Sequence, residues 1–172
     1  ARDAETTLTV RLPMGDGACL WDEFSPTLYR LRVALDGKGS VGSYVDQYET
    51  AFGMRELAVE GKRFVLNGDA IFLRGTLECC IFPLTGYPSM DEEAWERIFG
   101  ICKSYGLNHM RFHSWCPPEA AFAAADKAGF FIQAEAPRAN VGTNVPLDRF
   151  IQEESLRIVD TYGNHPSFVL MS

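Results

Sequence analysis

Short alternating apolar runs open the chain: Leu8, Val10 and Leu12, then Tyr29, Leu31, Val33 and Leu35, broken by turn residues such as Asp36-Gly37 and Lys38-Gly39. A period of two sends successive side chains to opposite faces of an extended strand. Leu31, Val33 and Leu35 are therefore expected to face a core while Arg30 and Arg32 face water, the pattern of an antiparallel sheet with one wet face. Thr6 to about Arg55 reads as strands, too few for the seven of a complete β-sandwich. The expectation is the final part of such a sandwich.

From about Val59 the period changes. Phe64-Val65-Leu66, Asn67-Gly68-Asp69 and Ala70-Ile71-Phe72-Leu73 predict a hairpin, because Asn-Gly supplies the positive φ values of a tight turn. Apolar strands then alternate with amphipathic helices. The first helix is expected to open at Ser89 with Glu92 completing a capping box, to carry Trp95, Ile98, Cys102 and Tyr105 on one stripe, and to end at Gly106. A second begins at Pro117-Pro118, uses Ala121, Phe122 and Ala125, and stops at Gly129. A third starts near Asp148, runs through Ile151, Ser155, Ile158, Val159 and Tyr162, and ends at Gly163. Leu107 to Phe112, Phe130 to Ala134 and Phe168 to Met171 are short apolar runs of the kind buried in parallel sheets. Strand-helix alternation of this sort defines an α/β unit with right-handed crossovers. An open nucleotide-binding sheet would carry a glycine-rich phosphate loop, and neither G-x-G-x-x-G nor a Walker motif occurs. The pattern favours the first half of a TIM (β/α)₈ barrel.

Composition narrows the function classes. The 172 residues are 47% hydrophobic and 23% charged, enough apolar material for a core. A net charge of −7 opposes binding to a phosphate backbone, so nucleic acid is not an expected partner. No run nears the ~18 apolar residues of a membrane span, and Ala1-Arg2-Asp3-Ala4-Glu5 shows no leader pattern. Membrane is not an expected partner either. The five cysteines form no Cys-x-x-Cys pair; Cys19, Cys102 and Cys116 read as buried small hydrophobes, and the adjacent Cys79 and Cys80 as poorly placed for a disulfide.

In a barrel, chemistry collects where the strands finish. Along His109-Met110-Arg111-Phe112-His113, Met110 and Phe112 suit the helix-facing side, which leaves Arg111 and His113 for the opposite face. A guanidinium there needs a carboxylate partner, since an unpaired buried ion is costly. Glu135, ending Gln133-Ala134-Glu135, alternates to that same face, and Glu78 ends the first strand after Arg74-Gly75-Thr76-Leu77. Trp115 offers either a hydrophobic plug or an indole platform for the C–H face of a sugar. Arg111, His113, Trp115, Glu135 and Glu78 are thus the candidate substrate-binding residues. His109 and His113 lie ~13 Å apart along a strand, so no metal site is expected from them, and no cofactor motif is present. A metal-dependent barrel hydrolase using His109, His113 or Glu135 is the rival enzyme reading.

Five strings occur in order: Phe64-Val65-Leu66-Asn67-Gly68, Leu73-Arg74-Gly75, Tyr105-Gly106-Leu107-Asn108-His109-Met110-Arg111, Ala125-Asp126-Lys127-Ala128-Gly129-Phe130 and Gly163-Asn164-His165-Pro166-Ser167. With Trp21, Ser25-Pro26, Leu28-Tyr29 and Phe52-Gly53-Met54-Arg55-Glu56 upstream, they resemble glycoside hydrolase family 2, which includes β-galactosidases, β-glucuronidases and β-mannosidases. The resemblance implies a partial immunoglobulin-like β-sandwich over residues 1–57, followed over 58–172 by the N-terminal half of a TIM-barrel catalytic domain. It also implies a retaining hydrolase of terminal β-glycosides, with one glutamate as acid/base and another as nucleophile. In the family the acid/base glutamate follows an asparagine just after the fourth strand. Phe168-Val169-Leu170-Met171-Ser172 resembles that strand, so both glutamates are expected beyond Ser172 and this chain alone is expected to be inactive, with no catalytic residue of its own. The alternative from another class is a non-catalytic carbohydrate-binding or interaction module.

Overall fold

A computed structural model describes residues 7–137, 142 and 144–172. The expectations placed on Ala1 to Glu5 and on Thr6 lie outside the described residues. The described chain is mixed α/β with a β-rich N-terminal part: β1 (Tyr29–Gly39), β2 (Gly42–Phe52), β3 (Leu57–Glu60), β4 (Arg63–Leu66), β5 (Asp69–Ile71), β6 (Gly75–Glu78), α1 (Glu92–Ser104), β7 (His109–Phe112), α2 (Glu119–Ala128), β8 (Phe131–Ala134), α3 (Val145–Tyr162) and β9 (Phe168–Met171).

β1 and β2 form a long antiparallel ribbon in register from Tyr29 opposite Phe52 to Gly39 opposite Gly42. The chain therefore turns at Ser40-Val41, and Asp36-Gly37 and Lys38-Gly39 remain within the ladder. Gly37 sits there because the ring of its partner Tyr44 fills the space a side chain would need: a Cβ would lie 2.1 Å from that ring. One face carries Arg30 and Arg32, each 3.0 Å from Glu49. The other carries Leu31, Val33 and Leu35, which are 39%, 47% and 50% exposed, so the alternation is present but no core among the described residues covers it. Leu8, Val10 and Leu12 form no strand and are largely exposed; no described strand pairs with them, and an unpartnered strand has no ladder to hold it.

The Asn-Gly hairpin forms as expected. Asn67 and Gly68 both take positive φ, 55° and 91°, between Leu66 and its partner Asp69. The Asn67 side chain does more than turn the chain: it accepts from the Glu56 N–H at 2.9 Å and donates to the Trp21 carbonyl at 3.0 Å. β3, β4 and β5 make a small antiparallel sheet whose Leu66 packs with Trp21 and Phe131, with Leu57 and Ile71 alongside.

The remaining strands form a parallel sheet in chain order β6-β7-β8-β9, with α1, α2 and α3 as the successive connections. Its helix-facing side buries Met110, Phe112, Ile132, Ala134 and Phe168 against Trp95 and Phe99 of α1, Ala121, Phe122 and Ala125 of α2, and Ile158 of α3. This is the main core, rich in stacked aromatics such as Phe99 on Phe130 at 4.8 Å and Phe122 on Tyr162 at 4.4 Å. The caps differ in detail from the expected ones. α1 is capped by Asp91, whose carboxylate accepts from the Glu93 N–H, while Ser89 accepts from the Asp91 N–H one step upstream. A carboxylate placed just before the first turn also favours the helix dipole. Tyr105, expected on the buried stripe, caps the C-terminus instead and is 81% exposed. Gly106 follows at φ 78°, with Gly106 N–H to Lys103 and Leu107 N–H to Cys102 closing a Schellman motif. α2 ends at left-handed Gly129, and α3 begins at Val145 under an Asn144 cap, three residues before the expected start.

Candidate active site at the strand ends

The two faces of the parallel sheet differ along their length. On the face away from the helices, the ends where strands begin are apolar and plugged: Phe131 and Val169 meet Trp21, Leu66 and Leu73. Val169 reaches this cluster because β9 bulges between the partners of Ile132 and Gln133. His109 lies in the same row, between Gly75 and Phe131 in register. It is buried, its Nε2 has no hydrogen-bond partner among the described residues, and burial pushes its pKa down. Gly75 makes room for it; a Cβ there would lie 2.5 Å from Nδ1.

The next row toward the strand C-termini is Leu77, Arg111, Gln133 and Leu170, and above it lie His113 and Glu135. Arg111 Nε donates to Glu135 Oε1 at 2.5 Å, and the Ser114 N–H donates to Oε2 at 2.7 Å. Glu135 in turn donates its own N–H to the Trp115 carbonyl at 3.2 Å. The carboxylate thus ties β8 to the loop after β7 from both sides. Burial alone pushes the Glu135 carboxyl up, but the Arg111 hydrogen bond, the Ser114 N–H and the charges of Arg111 and His113 outweigh it and hold the group below the usual carboxylate range. Ser114 takes φ 67°, a left-handed conformation uncommon for a residue with a side chain. His113 is half-buried beside it, with Nδ1 3.4 Å from Ser114 Oγ.

The other two candidates sit apart from this pair. Glu78 ends β6, and its carboxylate folds back to accept from the Cys80 and Ile81 N–H groups at 2.8 and 3.1 Å. Trp115 packs edge-on against Phe112 and Phe82, at 5.2 and 6.1 Å, within the helix-side cluster. Its indole N–H donates to the Glu78 carbonyl at 3.4 Å, so it braces the loop between the two strand ends. Sequence reasoning missed Ser114, whose contribution is a backbone N–H that no side-chain pattern reveals, and Gln133, whose Nε2 donates to Ser172 Oγ at 2.8 Å.

A second polar constellation lies at the other end of the sheet. His165, just before β9, is 2.6 Å from Asp126 Oδ2 through Nδ1 and 3.1 Å from Glu119 Oε1 through Nε2. Burial lowers its pKa, but the two carboxylates more than offset that and hold it raised. Asp126 also accepts from the Ser167 N–H, and its carbonyl accepts from the Trp21 indole. His165, Asp126 and Glu119, with Tyr48, Asp160 and Asn164, line a cleft of about 730 Å³. Their hydrogen bonds are spent joining segments, and they sit where strands begin. Among the described residues no cluster of three or more His, Cys, Asp or Glu side chains is arranged to hold a metal ion, and no helix is long and apolar enough to cross a membrane. Cys19, expected to be buried, is exposed; Cys102 and Cys116 are half-buried against the main core, and burial pushes the Cys116 thiol up to about 12.

No family model matches the chain. Individual enzymes do. The chain is 28% identical over 176 residues to beta-galactosidase 2 of Enterobacter cloacae, covering 96% of this chain and 16% of that enzyme. The solved structure of Bacteroides uniformis beta-glucuronidase aligns with a TM-score of 0.73 at 26% identity, over 90% of this chain and 19% of its own. A glycosyl hydrolase family 2 member from Bacteroides cellulosilyticus shares the fold, with a TM-score of 0.71 at 23% identity, over 89% of this chain and 20% of its own. The class these define is the glycosidases, hydrolases of glycosidic bonds. Within that class the resemblance is to glycoside hydrolase family 2, and the chain matches one segment of such enzymes, spanning 16% of the length of the Enterobacter relative.

Proposed function

We propose that the protein of which these residues are a part is a retaining glycoside hydrolase acting on terminal β-linked sugars, a β-galactoside or a β-glucuronide, and that Arg111, His113 and Glu135 help hold the sugar, with Glu78 and Trp115 shaping the rim. In this reading β6 to β9 are the first four strands of a (β/α)₈ barrel within residues 58–172. The ribbon belongs to an immunoglobulin-like sandwich ending near residue 57. Support comes from the sheet order, which shows no reversal among these four strands, and from α1, α2 and α3 all packing on one side. An open doubly wound sheet places helices on both faces.

The observation that carries the site is the polarity gradient on the other face. Trp21, Leu66 and Phe131 close the end where strands begin, while Arg111, Glu135 and His113 stand at the end where ligands of such folds bind. Carbohydrate is the partner that fits: a buried carboxylate paired with an exposed guanidinium presents directed hydrogen-bonding groups to hydroxyls.

Neither glutamate of this site is proposed as the acid/base or the nucleophile. Each oxygen of Glu135 accepts one hydrogen bond, from Arg111 or Ser114, and each oxygen of Glu78 one from the Cys80 or Ile81 N–H, which leaves lone pairs for a sugar hydroxyl but fixes both carboxylates in bracing positions. A nucleophile needs a free oxygen facing the anomeric carbon, with its partner carboxyl ~5–5.5 Å away. This occupancy also favours the second reading, a unit that binds carbohydrate without cleaving it.

Saturation-transfer NMR of the chain with methyl β-galactoside and methyl β-glucuronide tests the binding role. One of them is expected to bind, and Arg111→Ala is expected to weaken it about tenfold, a loss near 1.4 kcal/mol. Absence of binding by either glycoside, or binding indifferent to Arg111, overturns the site. Turnover of aryl β-glycosides by the chain itself would overturn the exclusion of Glu78 and Glu135 from the chemistry.

A further inference from the structure

Immediately after Glu78 the chain carries two consecutive cysteines, Cys79 and Cys80, both free and both exposed. The backbone bends there, with Cys80 at φ 57°, and the bend is held by the Glu78 carboxylate, which accepts from the N–H groups of Cys80 and Ile81. Among the described residues neither thiol joins a core cluster, and neither belongs to the Arg111–Glu135 pair.

Adjacent residues have Cα atoms ~3.8 Å apart across a trans peptide, short of the ~4.4–6.8 Å that a relaxed disulfide spans. The pair is therefore poorly suited to closing on itself by oxidation and persists as a dithiol. A larger ring that includes one bridging atom relieves that constraint, and at this bend, where Cys80 leaves the extended conformation and both side chains are exposed, the two thiols are free to rotate toward a common acceptor. The hardness of that acceptor is limited by what surrounds it. A structural zinc ion requires four protein ligands, and among the described residues no third His, Cys, Asp or Glu side chain is placed to join the two sulfurs. The Glu78 carboxylate, the nearest in sequence, is engaged by backbone N–H groups. An acceptor that suits two thiolates and no third protein ligand is soft, and a trivalent one carries its third substituent with it.

We propose that Cys79 and Cys80 form a chelating site for a trivalent arsenical of the type R–As=O. Both thiol S–H bonds break and two As–S bonds form; the arsenic oxygen leaves with the two protons as one water, and arsenic stays trivalent, so no oxidant or reductant is needed. The resulting nine-membered chelate ring, closed through the Cys79–Cys80 peptide bond, places the R group on the loop that follows β6, two residues from the strand-end face. The assignment does not depend on what that face binds.

Phenylarsine oxide is the probe. Titrated into the 172-residue chain, it is expected to add one phenylarsenic group per molecule by intact mass and to lower the number of thiols reactive with a chromogenic disulfide under denaturing conditions by two from five. Excess 2,3-dimercaptopropanol is expected to reverse the adduct, and an equal concentration of a monothiol is not. Cys79→Ser and Cys80→Ser should each abolish the monothiol-resistant adduct; both positions are exposed, and circular dichroism checks that the variants fold. Cys19→Ser, Cys102→Ser and Cys116→Ser should retain it. A full-strength adduct in the Cys79→Ser/Cys80→Ser double variant, or loss of fewer than two thiols in the unmodified chain, overturns the proposal.

Discussion

The β1–β2 ribbon and the β6–β9 unit are written in the same alphabet of alternating apolar positions, yet they end differently. In the β6–β9 unit the apolar side of β7, β8 and β9 is sealed by helices, and Phe112, Phe122, Phe130 and Ile132 are fully buried. In the ribbon Leu31, Val33 and Leu35 line one face with Tyr48, and all four are exposed. Alternation specifies which face of a strand is apolar; only a neighbouring element decides whether that face contributes to stability, because the hydrophobic term scales with area removed from water. The two regions meet through a few specific contacts. Arg55 donates to the Pro166 and Phe168 carbonyls at 2.6 and 2.7 Å, and Gly53 packs against Pro166, where a Cβ would lie 2.7 Å from the ring.

This contrast can be broken at its strongest point first. Phe112→Ala or Phe122→Ala is expected to cost about 3–5 kcal/mol, the range for emptying an aromatic site in a packed core, read as a lower urea midpoint at unchanged slope. Trp21→Phe is expected to cost about 1–3 kcal/mol, because it keeps most of the packing on Phe131 but leaves the Asp126 carbonyl without its indole donor. That loss should appear in the unfolding of the β6–β9 unit, since Trp21 belongs to its plug although it precedes the ribbon. Val33→Ala, by contrast, is expected to change stability by no more than about 0.5 kcal/mol, as for surface positions generally. A loss there as large as at Phe112 would show that the ribbon face is covered in solution.

Acid and base sharpen the comparison within the β6–β9 unit itself. The folded-state pKa of Glu135 lies below its ordinary 4.5, so its stabilising share is present above that value and is lost as pH falls through the lowered pKa. His165 is the reverse. Its pKa is raised above 6.5, so its share is fully present below pH 6.5 and is lost as pH rises through the raised value. Asp126→Asn should bring the His165 titration down and flatten the stability profile in that window, measured by histidine Cε1–H shifts alongside thermal unfolding. Glu135→Gln should flatten only the acidic limb. If the two variants changed the same limb, the separation of strand-end site from strand-start latch would be wrong.

Much of the chain from β4 onward was legible in the residue order because its signals are local. Asn67-Gly68 marked a hairpin, Gly106 and Gly129 ended helices, and the apolar runs at Phe130 to Ala134 and Phe168 to Met171 became strands. The pairing of Arg111 with a carboxylate was also readable, since alternation sends Arg111 and Glu135 to one face and charge does the rest. Other features were not. Asp91 displaced Ser89 as the cap of α1 because either residue satisfies the pattern, and the backbone path chose between them. Leu8, Val10 and Leu12 alternate as a strand would, and no described partner pairs with them. Trp115 could have faced either side of the sheet; the aromatic cluster of Phe82 and Phe112 drew it to the helix side.

Residue order alone thus determined the local periods, the turns, the strand-helix alternation and the identity of the charged groups at strand ends, all properties of neighbours along the chain. Tertiary structure alone decided that Trp21 plugs the sheet, that His165 joins Asp126 to Glu119, and that a backbone N–H of Ser114 completes the Glu135 site. Those contacts bridge residues 105, 39, 46 and 21 positions apart, and no periodic pattern encodes a meeting that depends on how whole elements pack.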